Sequence, residues 1–188
     1  NLYIYLLVFV LGNLIGSFLN VCIYRIPRNE SVIYPPSHCM SCGYKIKWYD
    51  NIPIISYFIL LRGKCRKCKE KISLQYPIIE MLTGIIYVII FFRSGITWTT
   101  LVLWLFASIL LTLSIIDLKE YILPDRLTFS LIIIGIVLAG IFDLRNLEGS
   151  FLGAAVYAFP FMLLYGFGEA VLKKEVMGFG DVKLGAGI

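Results

Sequence analysis

Apolar residues in this chain come in runs of about twenty, the length a helix needs to cross a membrane, and the polar residues collect between the runs. At about 1.5 Å of rise per residue, such a run spans a hydrocarbon core of roughly 30 Å. The first run covers residues 2–24 and stops at Arg25-Ile26-Pro27-Arg28. Further spans are expected at about 75–92, 97–116, 126–142 and 151–172, the last bent near Pro160. Another apolar segment has just begun where the sequence stops at Gly185-Ala186-Gly187-Ile188, so more chain is expected beyond it. The basic residues follow the first run rather than precede it, which reads as a retained helix and not a cleaved signal peptide. The expectation is an all-α polytopic membrane protein with about six transmembrane helices in view, the last one truncated.

Residues 29–74 break this pattern with polar, Pro-containing sequence. Within them lie Cys39-Met-Ser-Cys42 and Cys65-Arg-Lys-Cys68, two knuckles separated by 22 residues. Paired C-x2-C turns of this kind place four thiolates around one tetrahedral ion, so Cys39, Cys42, Cys65 and Cys68 are expected to hold a structural zinc. Two disulfides are the competing reading, disfavoured in a reducing compartment, and His38 beside Cys39 is an alternative ligand. The apolar stretch 52–61 between the knuckles is too short to span, and reads as the core of the insert or as a segment in the membrane interface. The predicted organisation is a first transmembrane helix (1–28), a cytoplasmic four-cysteine zinc-binding insert (29–74) and a transmembrane domain (75–188). The small and amide residues Gly12, Asn13, Gly16, Ser17 and Asn20 give the first helix a face for close helix contact.

Composition agrees with this class. Of 188 residues, 59% are hydrophobic and 15% charged, with a mean hydropathy of +0.84. The net charge of +5 would suit nucleic acid or anionic lipid, and its location decides between them. Ten of the seventeen Lys and Arg lie between Arg25 and Lys71, which marks that block as cytoplasmic under the positive-inside rule. Lipid is therefore the expected partner, and nucleic acid is not. With the insert inside, counting spans brings the ends of the third and fifth runs back to the cytoplasmic face.

Acids stand at those ends. Asp117 closes the third run, where the helix dipole disfavours an anion, and Asp181 follows the fifth within Gly178-Phe-Gly-Asp-Val-Lys183. Two carboxylates in a site of low dielectric do not both ionise, so one stays protonated while the other acts as a base. That pair activates water and protonates an amide leaving group. In the bland reading both acids merely terminate helices. Glu80 lies inside the second span, a costly place for a carboxylate, and Asp125 after Pro124 is placed to cap the fourth helix.

Taken together the motifs resemble the type IV prepilin peptidases, membrane aspartic proteases of the Gly-x-Gly-Asp class. The likeness runs in family order through residues 16–27 (Gly-Ser-Phe-Leu-Asn-Val-Cys-Ile-Tyr-Arg-Ile-Pro), the two knuckles, residues 51–56, Arg62-Gly-Lys-Cys65, Tyr76-Pro-Ile-Ile-Glu80, Asp117, Leu123-Pro-Asp125 and residues 178–184. The resemblance implies that Asp117 and Asp181 are catalytic and cut prepilins or pseudopilins after the glycine that ends a basic leader. It also implies N-methylation of the new terminus with S-adenosylmethionine, the region of Gly63 being suspected in that step. Gly178, Gly180 and Lys183 would support Asp181, while Glu80 and Asp125 are supporting acids suited to a cationic leader. A multi-pass protein of the bacterial cytoplasmic membrane is implied, with active site and insert facing the cytoplasm. The alternatives are a proton-coupled transporter using the same acids and a noncatalytic zinc-bearing membrane adaptor.

Overall fold

The computed structural model describes residues 2–142 together with Phe159 and Met162. Among these the chain is helical, with two isolated β-bridges in place of any strand. Four long helices occur: α1 (Leu2–Arg25), α2 (Gln75–Ser94), α3 (Trp98–Glu120) and α4 (Asp125–Phe142). Three of them, α1, α2 and α3, are long and apolar enough to cross a membrane. The expected fifth span and the truncated sixth lie outside the described residues. The chain divides into two compact units, Asn1–Thr100 and Leu101–Ile188.

In the first unit α1 and α2 pack as an antiparallel pair. Tyr5 stacks edge-on against Phe91 at 5.6 Å, Gly12 lies against Gly84, Gly16 against Glu80, and Asn20 Nδ2 donates to the Tyr76 carbonyl at 3.2 Å. Position rises on one helix as it falls on the other, so a single register runs along the whole seam. Both helices are apolar on nearly every side, and the buried face is marked by small and amide residues set among Val8, Leu19, Ile23 and Ile79. A Cβ added at Gly12 would sit 2.7 Å from the Gly84 Cα, and one at Gly16 2.7 Å from the Glu80 Cα. In lipid, where apolar contact alone does not drive association, such close backbone approach supplies the packing.

Polar side chains inside the helices are turned back on their own backbone. Thr83 Oγ1 donates to the Ile79 carbonyl at 2.7 Å, Ser108 Oγ to Trp104 at 2.7 Å, and Thr112 Oγ1 to Ser108 at 2.8 Å. In the second unit α3 runs to Glu120, three residues past Asp117, and Tyr121 follows at φ +54 with its amide on the Asp117 carbonyl at 2.9 Å. This left-handed residue ends the helix. The Pro124 carbonyl then accepts the Leu127 and Thr128 amides at 3.0 and 3.2 Å, and Asp125 opens α4 in its first turn, where the dipole favours an anion.

The insert is tied to α1 by Arg25. This residue is not a solvent-facing stop: it is buried, and its guanidinium donates to the carbonyls of Ser31 at 2.9 Å and Pro35 at 2.7 Å. A 3-10 turn (Trp48–Asn51) and a π-turn (Ser56–Leu60) are the only helical pieces of the insert. The stretch expected as core or interface exposes Ile55, Phe58, Ile59 and Leu60, so it does not form the core of the insert.

Candidate functional site

The two Cys-x-x-Cys turns fold alike. In the first, the Cys39 amide bonds the Tyr44 carbonyl at 2.9 Å, the Gly43 amide bonds the Cys39 carbonyl at 2.9 Å, and His38 bridges Lys45. In the second, the Cys65 amide bonds Glu70 at 2.8 Å, Lys69 bonds Cys65 at 3.1 Å, and Lys64 bridges Lys71. The residue after each second cysteine, Gly43 and Lys69, takes positive φ (+66 and +63) and reverses the chain. All four sulfurs come within 4.8 Å of one another, with Cys39–Cys68 at 3.7 Å and Cys42–Cys65 at 4.0 Å. A zinc ion bound to four thiolates at about 2.3 Å needs sulfurs about 3.8 Å apart. The donor set therefore fits such an ion in both chemistry and spacing.

Backbone amides of Cys68 and Lys67 point at the Cys65 sulfur and pull its thiol down to about 6. The Glu70 amide acts the same way on Cys68, but desolvation and the neighbouring thiols outweigh it, and Cys68 is pushed up to about 12. His38 Nδ1 lies 3.1 Å from the Pro36 carbonyl and outside the cluster of four sulfurs.

A second group of polar residues joins the insert to the helices. Glu80 is buried on α2, and its Oε2 accepts the Ile54 amide at 2.7 Å. Ile54 has φ +62 and centres a three-residue turn closed by the Ile55 amide on the Pro53 carbonyl. A β-branched residue in the left-handed region is strained and persists only where its surroundings hold it. Glu80 holds its amide, and the Phe58 amide holds its carbonyl at 3.1 Å. Nearby, buried Asp50 receives a forked contact from Arg66, with Nε at 3.1 and 3.0 Å from the two oxygens and Nη2 at 2.5 Å. Glu80, Ser17 of α1, Asp50 and Arg66 border a cavity of about 760 Å³ between the insert and the adjoining ends of α1 and α2. Gly63 has φ +68 and lies behind one wall, where an added Cβ would sit 3.1 Å from the Tyr57 hydroxyl.

Comparison with known proteins then bears on identity. Residues 10–94 match the family model described as bacterial peptidase A24 N-terminal domain, and residues 104–188 match that of the type IV leader peptidase family. A protein of Neisseria gonorrhoeae named prepilin leader peptidase/N-methyltransferase is 36% identical, over 93% of this chain and 69% of its own length. The chain belongs to the type IV leader peptidase family. Members from Vibrio cholerae and Myxococcus xanthus carry the same name and are each 38% identical, over 97% and 92% of this chain. The chain spans about half the length of the Myxococcus member (51%) and 75% of the Vibrio member. No solved structure matches it.

Of the residues singled out from the family's motifs, the structure brings the four cysteines together and places Glu80 against the insert. Asp117 is half-buried in the last turn of α3 and Asp125 is exposed at the start of α4. Gly178, Gly180, Asp181 and Lys183 lie outside the described residues. Asp50, Arg66 and Tyr57 escaped the sequence reading, and Ile54 entered it only within the motif at residues 51–56. The one available signal was Asp50 itself, a rare acid in the basic insert.

Proposed function

We propose that the chain processes prepilins or pseudopilins at the bacterial cytoplasmic membrane, cutting after the glycine that ends the basic leader and then methylating the exposed amine with S-adenosylmethionine. What carries this reading is that the two family matches together cover residues 10–94 and 104–188, both halves of the chain. Asp117 and Asp181 are the catalytic pair. One carboxylate, ionised, takes a proton from water as it attacks the scissile carbonyl, and the other, protonated, supplies a proton to the departing nitrogen. Gly178 and Gly180 let the substrate backbone approach, and Lys183 favours the ionised form of Asp181. Asp125 faces the cationic leader.

The cluster of four cysteines holds zinc, which stiffens an insert of too few residues to be stable on its own core. The basic insert is cytoplasmic, so α1 runs inward, α2 outward and α3 inward, which brings Asp117 to the cytoplasmic face. The antiparallel pairing of α1 and α2 supports this count.

The test incubates purified protein in lipid with a prepilin, with and without S-adenosylmethionine, and weighs the mature product. Cleavage with an added methyl mass only when the donor is present is expected. Asp117→Asn and Asp181→Asn should each lower cleavage by at least roughly 10²–10⁴-fold, and cleavage persisting in either variant rules out the pair.

A further inference from the structure

The cavity in the first unit has the size and lining of a ligand site. Its volume of about 760 Å³ lies in the range, roughly 300–1,000 Å³, of sites that enclose a small organic molecule. Tyr57 and Tyr76 line it, and the faces of such rings take up cations and flat heteroaromatic groups, while the Tyr24 ring, also in the lining, carries the Arg28 guanidinium at 4.2 Å.

The charges around it are unequal. Asp50 is matched by Arg66, and Arg25 is turned to the Ser31 and Pro35 carbonyls. Glu80 differs, because the partner of its carboxylate, the Ile54 amide, is a neutral donor and not a counter-ion. A carboxylate buried without a counter-ion carries its charge most readily beside a cation, so it favours a cationic ligand over a neutral one of the same shape.

We propose that this cavity binds S-adenosylmethionine and that Glu80 recognises its sulfonium charge. The inference rests on the methylation reading above. The donor presents both complements, a permanently positive sulfur and an adenine ring able to stack on tyrosine. In transfer, the acceptor ammonium loses a proton to solvent, its lone pair forms the N–C bond, and the C–S pair stays on sulfur to leave a neutral thioether. The product no longer engages Glu80, so the same charge that admits the donor favours exchange of product for donor. The strained turn at Ile54 acquires a role in this arrangement, since its amide aims the carboxylate.

The test measures binding by calorimetry on the full chain in lipid nanodiscs, using S-adenosylmethionine and S-adenosylhomocysteine. Wild type should bind the sulfonium roughly tenfold more tightly than the thioether. Glu80→Gln keeps an oxygen for the Ile54 amide, and should bind the thioether as wild type does while losing the preference. If the preference survives in Glu80→Gln, the inference is overturned and the methylation reading stands. If wild type binds neither compound and adds no methyl to a cleaved prepilin, the methylation reading falls, and this inference with it. Should Glu80→Gln fail to show a cooperative melt, Tyr57→Leu decides: its affinity for both compounds should drop severalfold, and unchanged affinity overturns the assignment of the cavity.

Discussion

Two glycines of the insert show how a single residue can serve backbone and ligand at once. Gly43 and Gly63 both hold positive φ, +66 and +68, where an L side chain costs roughly 1–2 kcal/mol. A Cβ at Gly43 meets nothing within 4 Å, whereas at Gly63 it meets the Tyr57 hydroxyl at 3.1 Å. Alanine at either position should lower the melting temperature by a similar few degrees, consistent with roughly 1–2 kcal/mol. Only Gly63→Ala should also weaken donor binding and slow methylation, because it displaces Tyr57. Thermal melts and calorimetry on the two variants check this, and equal loss of donor binding in both would disconnect Gly63 from the cavity.

At the scale of elements, the helices and the insert are stabilised by different means. The α1–α2 seam rests on close helix contact and needs no metal, while the two cysteine turns have short backbone bonds, the Arg66–Asp50 pair and one another's sulfurs. Chelation, or Cys65→Ser, should therefore strip the metal and open residues 29–74 to limited proteolysis while the helical circular dichroism persists. Metal should also leave as pH falls, since protons compete for the thiolates. The same contrast explains what was readable beforehand. The helices α1 and α2 end within one or two residues of the sequence expectation because bilayer thickness sets their length, and Gly12 and Gly16 announced their contact. Spacing alone announced the cysteine tetrad. The inward turn of Arg25, the Asp50–Arg66 pair and the Glu80–Ile54 bond were not legible, because each joins residues that no periodicity relates and that meet only when the insert closes. For Asp117, the sequence indicated the helix end but not that α3 continues to Glu120.

At the scale of the whole molecule, the described helices of the first unit expose apolar residues as lipid requires. Large apolar side chains such as Leu7, Leu14 and Phe18 of α1 and Ile78, Ile85 and Ile89 of α2 are exposed, and the buried residues include Gly12, Asn13, Gly16 and Asn20 beside Val8, Leu19, Ile23 and Ile79. The charge is equally one-sided, with ten of seventeen basic residues between Arg25 and Lys71. Reporter fusions follow from this. A reporter active only outside the cytoplasm should be silent after Glu70, active after Gly95 and silent after Tyr121, and the opposite pattern would invert the proposed orientation of Asp117.

The bond between Glu80 and the Ile54 amide also bears on how the protein is made. Sliding α2 by one residue would move Glu80 about 1.5 Å along the axis and turn it by roughly 100°, enough to lose a contact of 2.7 Å. The loop around Ile54 is translated before α2, and its strained turn lacks the Glu80 contact until α2 has entered the bilayer and found its register beside α1. Biogenesis is thereby ordered. The cysteine turns, closed by bonds within the insert, can form while the nascent chain is still emerging, but the chamber beneath them closes only once the helical hairpin is integrated. A polypeptide stranded in the cytosol could form those turns yet would lack the finished pocket.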